Sequence, residues 1–597
     1  MKLSRLLLIS AVLISFTSCD DLFEPALENN QDISQMYKDP TFARGLLDNA
    51  YLALPYSESP SSDAATDDAV INQNGDNYKK MATGSWAANM NPVSQWDGRY
   101  HAIQYCNLML ENCDKVEWAY SSKVLNQMFC DNYKGNAYAL RGLHMFYLLR
   151  AHAGMVDGQL MGVPIHLSSE NSKSDFNLPR NTFKECVDQI MSDFDEALKY
   201  LPEQYVDVDE NGVPAKYVQL GATNDTYNHA LGSIHRGKID GRIISAFKAQ
   251  LAIMAASPAY ASANVMSYED AAKYAADCLQ KFGGLDAIDP NGWNWFANTK
   301  MIDNLGATSD NPKEIIWRAN VSKSHSLESD NYPPSLFGSG KINPTQNLVD
   351  AFPMANGYPI SDPNSEYDAK DPYANRDPRL KAYILCNGDK IGATDGVVNT
   401  AADSKTIDGL NRENGKSTKT GYYMRKLLRA DVNLNPSSTT DMMHLTARIR
   451  TTEILLDYAE AANEAQGPKA NVGGANYSAY DVIKAIRERA GLGEFGEDPY
   501  LEECAQSKDK MRELIRNERR LELCFENHRF WDLRRWKANL NEAAKGINIT
   551  TDATTGEYIY KTFDAEERKY SDYMYYGPIP YSEILKYSNL KQNEGWK

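Results

Sequence analysis

The clearest pattern of apolar and polar positions in this chain lies near its carboxyl end, over residues 516–536 and the turn before them. Acidic residues recur every fourth position and would share one ridge of a helix, while apolar residues follow a second ridge that can face a core. The acidic ridge comprises Glu518, Glu522 and Glu526, and the apolar ridge comprises Leu514, Leu521 and Phe525. Three arginines lie within one turn of the carboxylates, so the pattern predicts ion pairs within the helix or to a neighbouring element.

Helical periodicity also dominates the rest of both ends of the chain. The first two predicted helices span about 41–54 and 96–112. Segments 450–464 and 477–489 carry Ala where two helices would approach closely, although no clean 34-residue repeat is present. Residues 293–423 are richer in Gly, Pro, Asn and Asp and predict long loops with short strands. No linker or low-complexity run divides the chain, so periodicity alone predicts one mostly helical, loop-rich unit.

The amino terminus has the layout of an export signal. Lys2 and Arg5 precede an apolar run over 6–16, which is too short to cross a bilayer core that needs about 20 residues. The following FTSC looks like a bacterial lipoprotein box, which predicts a signal peptide over 1–18, lipidation of Cys19 and a tether over 19–40. An ordinary signal peptide with an incidental cysteine is the alternative. Asp20 and Asp21 resemble acidic signals that direct such lipoproteins to the cell surface.

Charge and cysteine content exclude several classes of protein. The formal net charge of -17 argues against a nucleic-acid ligand, because phosphate contacts need clustered Lys and Arg, and suits a neutral ligand. With Cys19 assigned to the anchor, eight of the nine cysteines remain and are spread singly along the chain. That spacing predicts neither a disulfide framework nor a zinc site, so we expect small buried side chains.

Several stretches of the chain form an ordered set of motifs: RNERRLELCFENHRFWDLRRW (516–536), KGNAYALRGLHMFYLLRAHAG (134–154), LPRNTFKECVDQIMSDFDEALKYLP (178–202), GRIISAFKAQLAIMAASPAY (241–260), NPTQNLVDAFPMANG (343–357), NRDPRL (375–380), RIRTTEILLDYAEAANEA (448–465), IKAIRERAGL (483–492), and PIPYSEI with NLKQNEGW at the end. Together these stretches resemble the SusD/RagB family, whose members are surface lipoproteins that bind glycans beside an outer-membrane transporter. The resemblance covers nearly the whole chain from about residue 41 to 597.

The resemblance implies a fold and a role. The fold would be mainly α, with tetratricopeptide-like helical pairs forming a scaffold in a single domain over 41–597, overlaid by a loop-rich region with short strands at about 293–423. The role would be a lipid-anchored glycan binder of the outer membrane that faces the cell exterior. Such a protein captures oligosaccharide or polysaccharide and delivers it, without cleavage, to a SusC-like TonB-dependent transporter.

The strongest local candidate for a glycan site is the polar, turn-prone segment that ends at Trp86. Sugar recognition needs aromatic faces for C–H groups and polar side chains in the plane of the hydroxyls. Carried over by position, Trp86 would be the stacking platform, with Asp67 and Asp68 as hydroxyl acceptors. The alternative is that Trp86 covers a core edge and the aspartates cap a turn. Trp96 is a further candidate, but its place on a helical face favours core packing.

A second cluster of candidates lies in the central loops, at Tyr332, Phe337, Tyr373 and Arg376. Tyr332 belongs to the extended Pro-rich DNYPPS and could present a ring to solvent. Arg376 could fork to two sugar hydroxyls or to Asp377 and a backbone carbonyl. The resemblance makes NRDPR mainly a structural turn, and that interpretation is favoured.

Two weaker patterns concern metals. Asp207, Asp209 and Asn211 match the first half of a calcium loop, but the twelfth position lacks the expected Glu, which favours an exposed turn over a Ca²⁺ site. Glu526 and His528 could form a metal or acid/base site, but residues two apart on a helix point in different directions. No cofactor is required by anything in the sequence.

Two other functions stay open beside the glycan binder. A surface glycoside hydrolase would need paired carboxylates, which 80 acidic residues cannot diagnose, and the chain contains no GxSxG, HExxH or Walker motif. A peptide- or glycoprotein-capturing relative is the other alternative. The glycan itself is not encoded: a fructan is a guess, and xylan, mannan and glucan are equally compatible.

Overall fold

The computed structural model describes residues 33–56, 59–493 and 497–597, which form a helix-rich molecule with short two-stranded ladders. The predicted signal peptide, Cys19 and the first part of the tether lie outside the described residues. The α-helices in chain order are α1 (Pro40–Leu52), α2 (Asn77–Lys80), α3 (Trp96–Asn112), α4 (Lys123–His152), α5 (Phe183–Leu198), α6 (Ala215–Val218), α7 (Asn224–Leu231), α8 (Gly241–Ala256), α9 (Tyr268–Gln280), α10 (Thr299–Asp303), α11 (Ser326–Asn331), α12 (Gln346–Ala351), α13 (Pro378–Tyr383), α14 (Thr451–Gln466), α15 (Ala479–Arg489), α16 (Pro499–Cys504), α17 (Lys508–Leu523), α18 (Arg529–Arg535) and α19 (Tyr581–Lys586).

The strands are short and pair antiparallel, two by two. They are β1 (Ala69–Ile71), β2 (Gly154–Val156), β3 (Gln159–Met161), β4 (Ile315–Arg318), β5 (Ser322–Ser324), β6 (Ile342–Pro344), β7 (Ile384–Leu385), β8 (Lys390–Ile391), β9 (Gly396–Val397), β10 (Tyr423–Met424), β11 (Met442–His444), β12 (Ala447–Arg450), β13 (Ala544–Thr551) and β14 (Tyr558–Glu566). The pairs are β1 with β6, β2 with β3, β4 with β12, β5 with β11, β7 with β10, β8 with β9, and β13 with β14. Six of the fourteen, β4 to β9, lie within the predicted loop-rich region 293–423, and β10 begins at its end.

Consecutive helices of the scaffold pack in pairs. Capping residues stabilise the helix starts, and small residues on the contact faces let the helices approach closely. At the start of α5, Thr182 accepts from the backbone N–H of Glu185, whose carboxylate accepts from the backbone N–H of Thr182. On α4, Gly142 allows α5 to approach, since a Cβ there would lie 3.1 Å from the ring of Phe194. The 30-residue α4 is accordingly buried along most of its length.

Helix α14 occupies the centre of the scaffold. It packs against α8, α9, α15 and α17, and its residues from Thr451 to Asn463 are all buried. Ala459, Ala461 and Ala462 have no exposed area, which lets several helices reach the same axis. The predicted pairing of 450–464 with 477–489 is confirmed by the packing of α14 on α15.

The hydrophobic core has three parts. The largest lies among the scaffold helices, a second lies beneath the loop-rich region, and a small third cluster surrounds Trp86 near the carboxyl end. Over the part of the chain that the structure describes, we find no helix long and apolar enough to span a bilayer. The expectation of a mainly helical fold with short strands is confirmed.

The prediction that Glu518, Glu522 and Glu526 share one helical ridge is wrong in one respect. Helix α17 ends at Leu523 and α18 begins at Arg529. Between them Phe525 and Asn527 adopt positive φ values of 61° and 63°, a left-handed conformation that no α-helix continues. Glu526 therefore leaves the ridge of Glu518 and Glu522 and reaches a different set of partners.

Candidate functional site

Trp86 is a core residue. Its side chain is 4% exposed and contacts the rings of Phe530, Tyr570 and Trp596, at centroid distances of 5.9, 6.1 and 4.9 Å. The indole N–H donates to Asn91 Oδ1 at 3.1 Å. Because the ring offers no free face, the expectation that Trp86 is a sugar-stacking platform is wrong, and the core interpretation replaces it.

Asp67 and Asp68 are buried ion-pair partners rather than hydroxyl acceptors. Asp67 accepts from Arg529 and pairs with Arg520, at 2.9 Å in each case, and Asp68 accepts from Arg520 Nε at 2.6 Å. Burial acts to raise the pKa of Asp67, but the two guanidinium groups prevail and hold it well below its usual range. The pairs fasten the segment before β1 to α17 and α18, which corrects the assignment of these carboxylates to glycan binding.

Trp96 and Tyr332 are buried too. Trp96 packs edge-on against Tyr100 and His152, as the core interpretation predicted. Tyr332 is 1% exposed and donates to the carbonyl of Arg429. The expectation that Tyr332 presents its ring to solvent is therefore wrong.

The guanidinium group of Arg376 binds backbone carbonyls. Its terminal nitrogens donate to the carbonyls of Pro372, Val349 and Phe352 at 2.6–2.7 Å. Its assignment to sugar hydroxyls is corrected to the structural turn that was the favoured alternative. Tyr373 is half-buried beside Tyr422, whereas Phe337 is exposed.

The calcium-loop pattern forms a turn. Asp207 accepts from the N–H and hydroxyl of Ser233, and Asp209 accepts from the N–H groups of Asn211 and Gly212 at the start of a single helical turn. Within the described ranges no group of three or more His, Cys, Asp or Glu side chains could hold a metal. The carboxylates of the pattern are engaged separately, so the Ca²⁺ assignment is corrected to a capped turn.

One concave feature, which we name the crevice, has a volume of about 230 Å³ and lies between the helical scaffold and the loop-rich region. Its walls come from the segment after α1, from α4, α8 and α14, from the continuous segment that runs from β11 through β12, and from the break between α17 and α18. Its aromatic, basic, amide and acidic lining includes Tyr56, Tyr147, Arg150, Gln250, Arg448, Glu453, Glu526, His528 and Trp531.

Aromatic rings and guanidinium groups alternate along one wall of the crevice. Arg150 lies over the ring of Trp531 at 4.5 Å and over Tyr147 at 4.9 Å. Arg448 lies over Trp317 at 4.4 Å and over Tyr56 at 5.1 Å, and the hydroxyls of Tyr56 and Tyr147 are 2.5 Å apart. Cation–π contact of this kind fixes a guanidinium plane without consuming its N–H donors.

The acidic side of the crevice contains two carboxyl groups of opposite character. Burial, followed by the charge of Asp457, raises the pKa of Glu453 to about 8, and Gln250 donates to its carboxyl group at 2.6 Å. Burial acts to raise the pKa of Glu526 as well, but Arg450 and Lys426 lower it to about 2. Both oxygens of Glu526 accept from these two cations.

A buried charge cluster stands behind this wall and holds it in place. Glu518 accepts from Arg487 at 2.8 Å, and Glu522 accepts from Arg379 and Arg489 at 3.1 Å each. These bonds join α17 to α13 and α15. The predicted ion pairs of the acidic ridge are thus confirmed for Glu518 and Glu522, and they are made to neighbouring elements.

Sequence reasoning missed the crevice although its residues belong to quoted stretches. Arg150 lies in the long helix motif, Arg448 begins RIRTTEI, and Trp531 lies in the stretch over 516–536. The signal available in the sequence was that Arg150 and Arg448 have no acidic residue two, three or four positions away with which to pair. That signal is weak without knowledge of the fold.

The comparisons with known proteins agree with this fold. The family model described as "SusD family" matches residues 275–596, and one described as "Starch-binding associating with outer membrane" matches residues 27–216. The first match alone spans more than half of the chain, so this protein belongs to the SusD family.

Individual proteins that are similar to this one share limited sequence identity with it. A curated relative from Formosa agariphila, "SusD-like protein P2", is 32% identical over 145 residues, and the match spans only 24% of this chain and 24% of that protein. A SusD-like protein from Bacteroides fragilis matches with a TM-score of 0.69 at 23% identity, covering 96% of this chain and 100% of the other. A SusD-like carbohydrate-binding protein from the same species matches at 0.66 and 20%, covering 93% and 100%. A laminarin-binding SusD-like protein matches at 0.55 and 17%, covering 94% and 100%. These structures establish similarity of fold.

Proposed function

We propose that this protein captures oligosaccharides or polysaccharides at the cell surface and delivers them, uncleaved, to a SusC-like TonB-dependent transporter. Membership in the SusD family supports the carbohydrate-binding class, as do the names of the carbohydrate-binding and laminarin-binding relatives. The family description that mentions the outer membrane supports the location. Anchoring through lipidated Cys19, with the protein facing the exterior, belongs to the same proposal and rests on the FTSC box.

The crevice is the structural observation that supports a location for the glycan-binding site. Tyr56 and Trp531 are half-buried at its wall, so each offers an edge or part of a face to a sugar ring. Guanidinium, amide and hydroxyl groups of Arg448, Gln250 and Tyr147 supply donors and acceptors in the same space. The volume of about 230 Å³ suits one sugar unit of a longer chain.

A wet site of this kind predicts weak binding. Each exchanged polar contact nets only about 1 kcal/mol, so a single unit should bind at roughly micromolar to millimolar concentration. Longer chains should bind more tightly, because a polymer presents several copies of the recognised unit to one crevice.

A glycoside hydrolase is the second candidate, favoured by one observation. Glu453 retains its proton near neutral pH while Glu526 is ionised, which is the division of labour that acid-catalysed glycoside cleavage requires. Both oxygens of Glu526 are, however, engaged by Lys426 and Arg450 and are poorly placed to attack a sugar or activate water. Capture without cleavage is therefore the better supported function.

Affinity electrophoresis and calorimetry on a panel of glycans test the proposal. The panel contains inulin, laminarin, xylan, mannan and a pectic polysaccharide, and reducing sugar is assayed in the same samples. We expect retention on at least one glycan and no new reducing ends. Released reducing sugar would support the hydrolase. Binding of peptides or glycoproteins in place of glycans would support a relative that captures peptides or glycoproteins.

Matched tryptophan variants test the site. Trp531→Ala should weaken binding of the retained glycan about tenfold by removing part of the crevice wall. Trp293→Ala is the control, because Trp293 is also half-buried but does not line the crevice. Equal affinities for the two variants and the wild type would refute the placement of the site while leaving the function open.

A further inference from the structure

Two guanidinium groups at the crevice have no carboxylate within hydrogen-bond or ion-pair distance among the described residues. Neither Arg150 nor Arg448 makes a hydrogen bond or an ion pair with any residue of the described ranges, and the Nε of each is enclosed. Ring contacts alone hold them, with Trp531 under Arg150 and Trp317 under Arg448. Both side chains are half-buried, and cations withdrawn from water are ordinarily paired, so these two arginines need an explanation.

A third arginine adds to the same positive region. Arg99 on α3 is buried, and its Nε and one terminal nitrogen have no hydrogen-bond partner within the described chain. Burial lowers its pKa to about 10, and the groups that oppose this shift are Tyr147 and Tyr56. The hydrogen-bonded tyrosine pair therefore lies among three unpaired guanidinium groups.

The other charged groups at the crevice are already compensated. Arg450 and Glu526 pair with each other, and Arg429 pairs with Asp303 and Asp431. Burial raises the pKa of Glu453 and lowers that of His528 to about 3, so both are largely uncharged at pH 7. Arg150 and Arg448 thus leave the crevice locally positive in a chain whose formal net charge is -17.

We propose that the crevice recognises an acidic sugar, whose carboxylate or sulfate group binds between Arg150 and Arg448. The inference rests on the proposed glycan capture and names its substrate class. A planar guanidinium matches both oxyanions with two parallel N–H donors, and a partly buried cation gains most from such a partner. The tyrosine hydroxyls and Gln250 would bind the ring hydroxyls of the same unit.

Calorimetry with matched ligands tests the inference on the full-length mature protein. The probes are trigalacturonate, its trimethyl ester, a sulfated carrageenan oligosaccharide of similar length, and neutral laminaritriose. We expect at least one acidic probe to bind tenfold or more tightly than the neutral probes, and the uronate and sulfate arms show which acid is preferred. Equal affinity for trigalacturonate and its ester, with no preference for the sulfated probe, would overturn the inference.

Arginine variants locate the contact. Arg448→Gln should weaken binding of the preferred acidic probe about tenfold and binding of the neutral probes by clearly less, and the affinity of Arg448→Lys for the acidic probe should lie between those of Arg448→Gln and the wild type. Arg412→Gln, at an exposed position outside the crevice, removes the same charge and should change nothing. Unchanged binding in Arg448→Gln would overturn the assignment, and thermal melts of each variant verify folding.

The two proposals fail in different ways. Tight binding of neutral glycans that is sensitive to Trp531→Ala but not to Arg448→Gln would refute the acidic substrate and support glycan capture. If no acidic or neutral glycan binds at any length, the proposed function itself is wrong, and the inference is wrong with it.

Discussion

Glu453 lies in the first turn of α14, where Gln250 donates to it and the His528 ring stands 3.7 Å away. Its pKa is raised from 4.5 to about 8, chiefly by burial and then by Asp457. A folded state that keeps this proton is favoured most below pH 4.5, where the unfolded chain is protonated as well. That advantage is lost as the pH rises through about 8, because only the unfolded chain can ionise freely.

The wild-type protein should consequently be less stable at pH 8 than at pH 5. We expect the free energy of unfolding to fall by about 2–4 kcal/mol over that interval, and Glu453→Gln to remove most of the fall. Urea denaturation of both proteins at a series of pH values measures the free energy of unfolding. Exposed Glu117→Gln is the control and should preserve the wild-type slope. A slope that survives in Glu453→Gln would assign the pH dependence to other groups.

The fate of Trp86 shows what residue type can and cannot predict. A tryptophan after a polar, turn-prone segment is compatible with a ligand platform and with a core edge. The core position is decided by the arrival of Phe530, Tyr570 and Trp596 from positions more than 400 residues away. Asp67 follows the same logic, since its partners Arg520 and Arg529 come from the far end of the chain.

At the scale of the elements, periodicity correctly predicted several of the scaffold helices. The predicted helix over 96–112 matches α3, and the motif over 448–465 lies on α14. The break after Leu523 was not predictable from spacing, because the glutamate ridge continues through Glu526 without interruption. The break arises from tertiary contacts, in which Lys426 and Arg450 bind Glu526 and the carbonyl of Glu522.

The buried charge cluster that joins α17 to α13 and α15 should contribute strongly to the stability of the fold. Arg379 is fully buried and bonds Asp377 and Glu522, so Arg379→Met would leave several carboxylates without a compensating charge. We expect a loss of about 3–5 kcal/mol in the free energy of unfolding. Arg44→Met is the matched control, because Arg44 pairs with Asp48 on an exposed face at 3.5 Å and should cost about 0.5 kcal/mol or less. Similar losses in urea denaturation of the two variants would contradict this assignment.

At the scale of the whole molecule, the candidate site exists only where distant segments meet. Tyr56, Arg150, Arg448 and Trp531 come from four parts of the chain, and each has an ordinary structural interpretation in its own segment. Only the packing of the loop-rich region on the helical scaffold shows that two of these arginines lack an acidic partner in the described part of the chain. The expectation of one domain over 41–597 stays a prediction.

The contrast between a locally positive crevice and an overall charge of -17 predicts an unusual salt dependence. An acidic oligosaccharide is repelled by the whole molecule at long range and attracted by Arg150 and Arg448 only at contact. Raising the ionic strength from about 0.01 to 0.1 M shortens the screening length from about 30 to 10 Å, so it removes the repulsion first and leaves the partly buried contacts less affected. The association rate constant of trigalacturonate should therefore rise several-fold in stopped-flow or surface-plasmon measurements, while that of laminaritriose stays flat. A rate constant that falls with salt would instead indicate a positive surface leading to the site, and would contradict an isolated cationic crevice in an acidic protein.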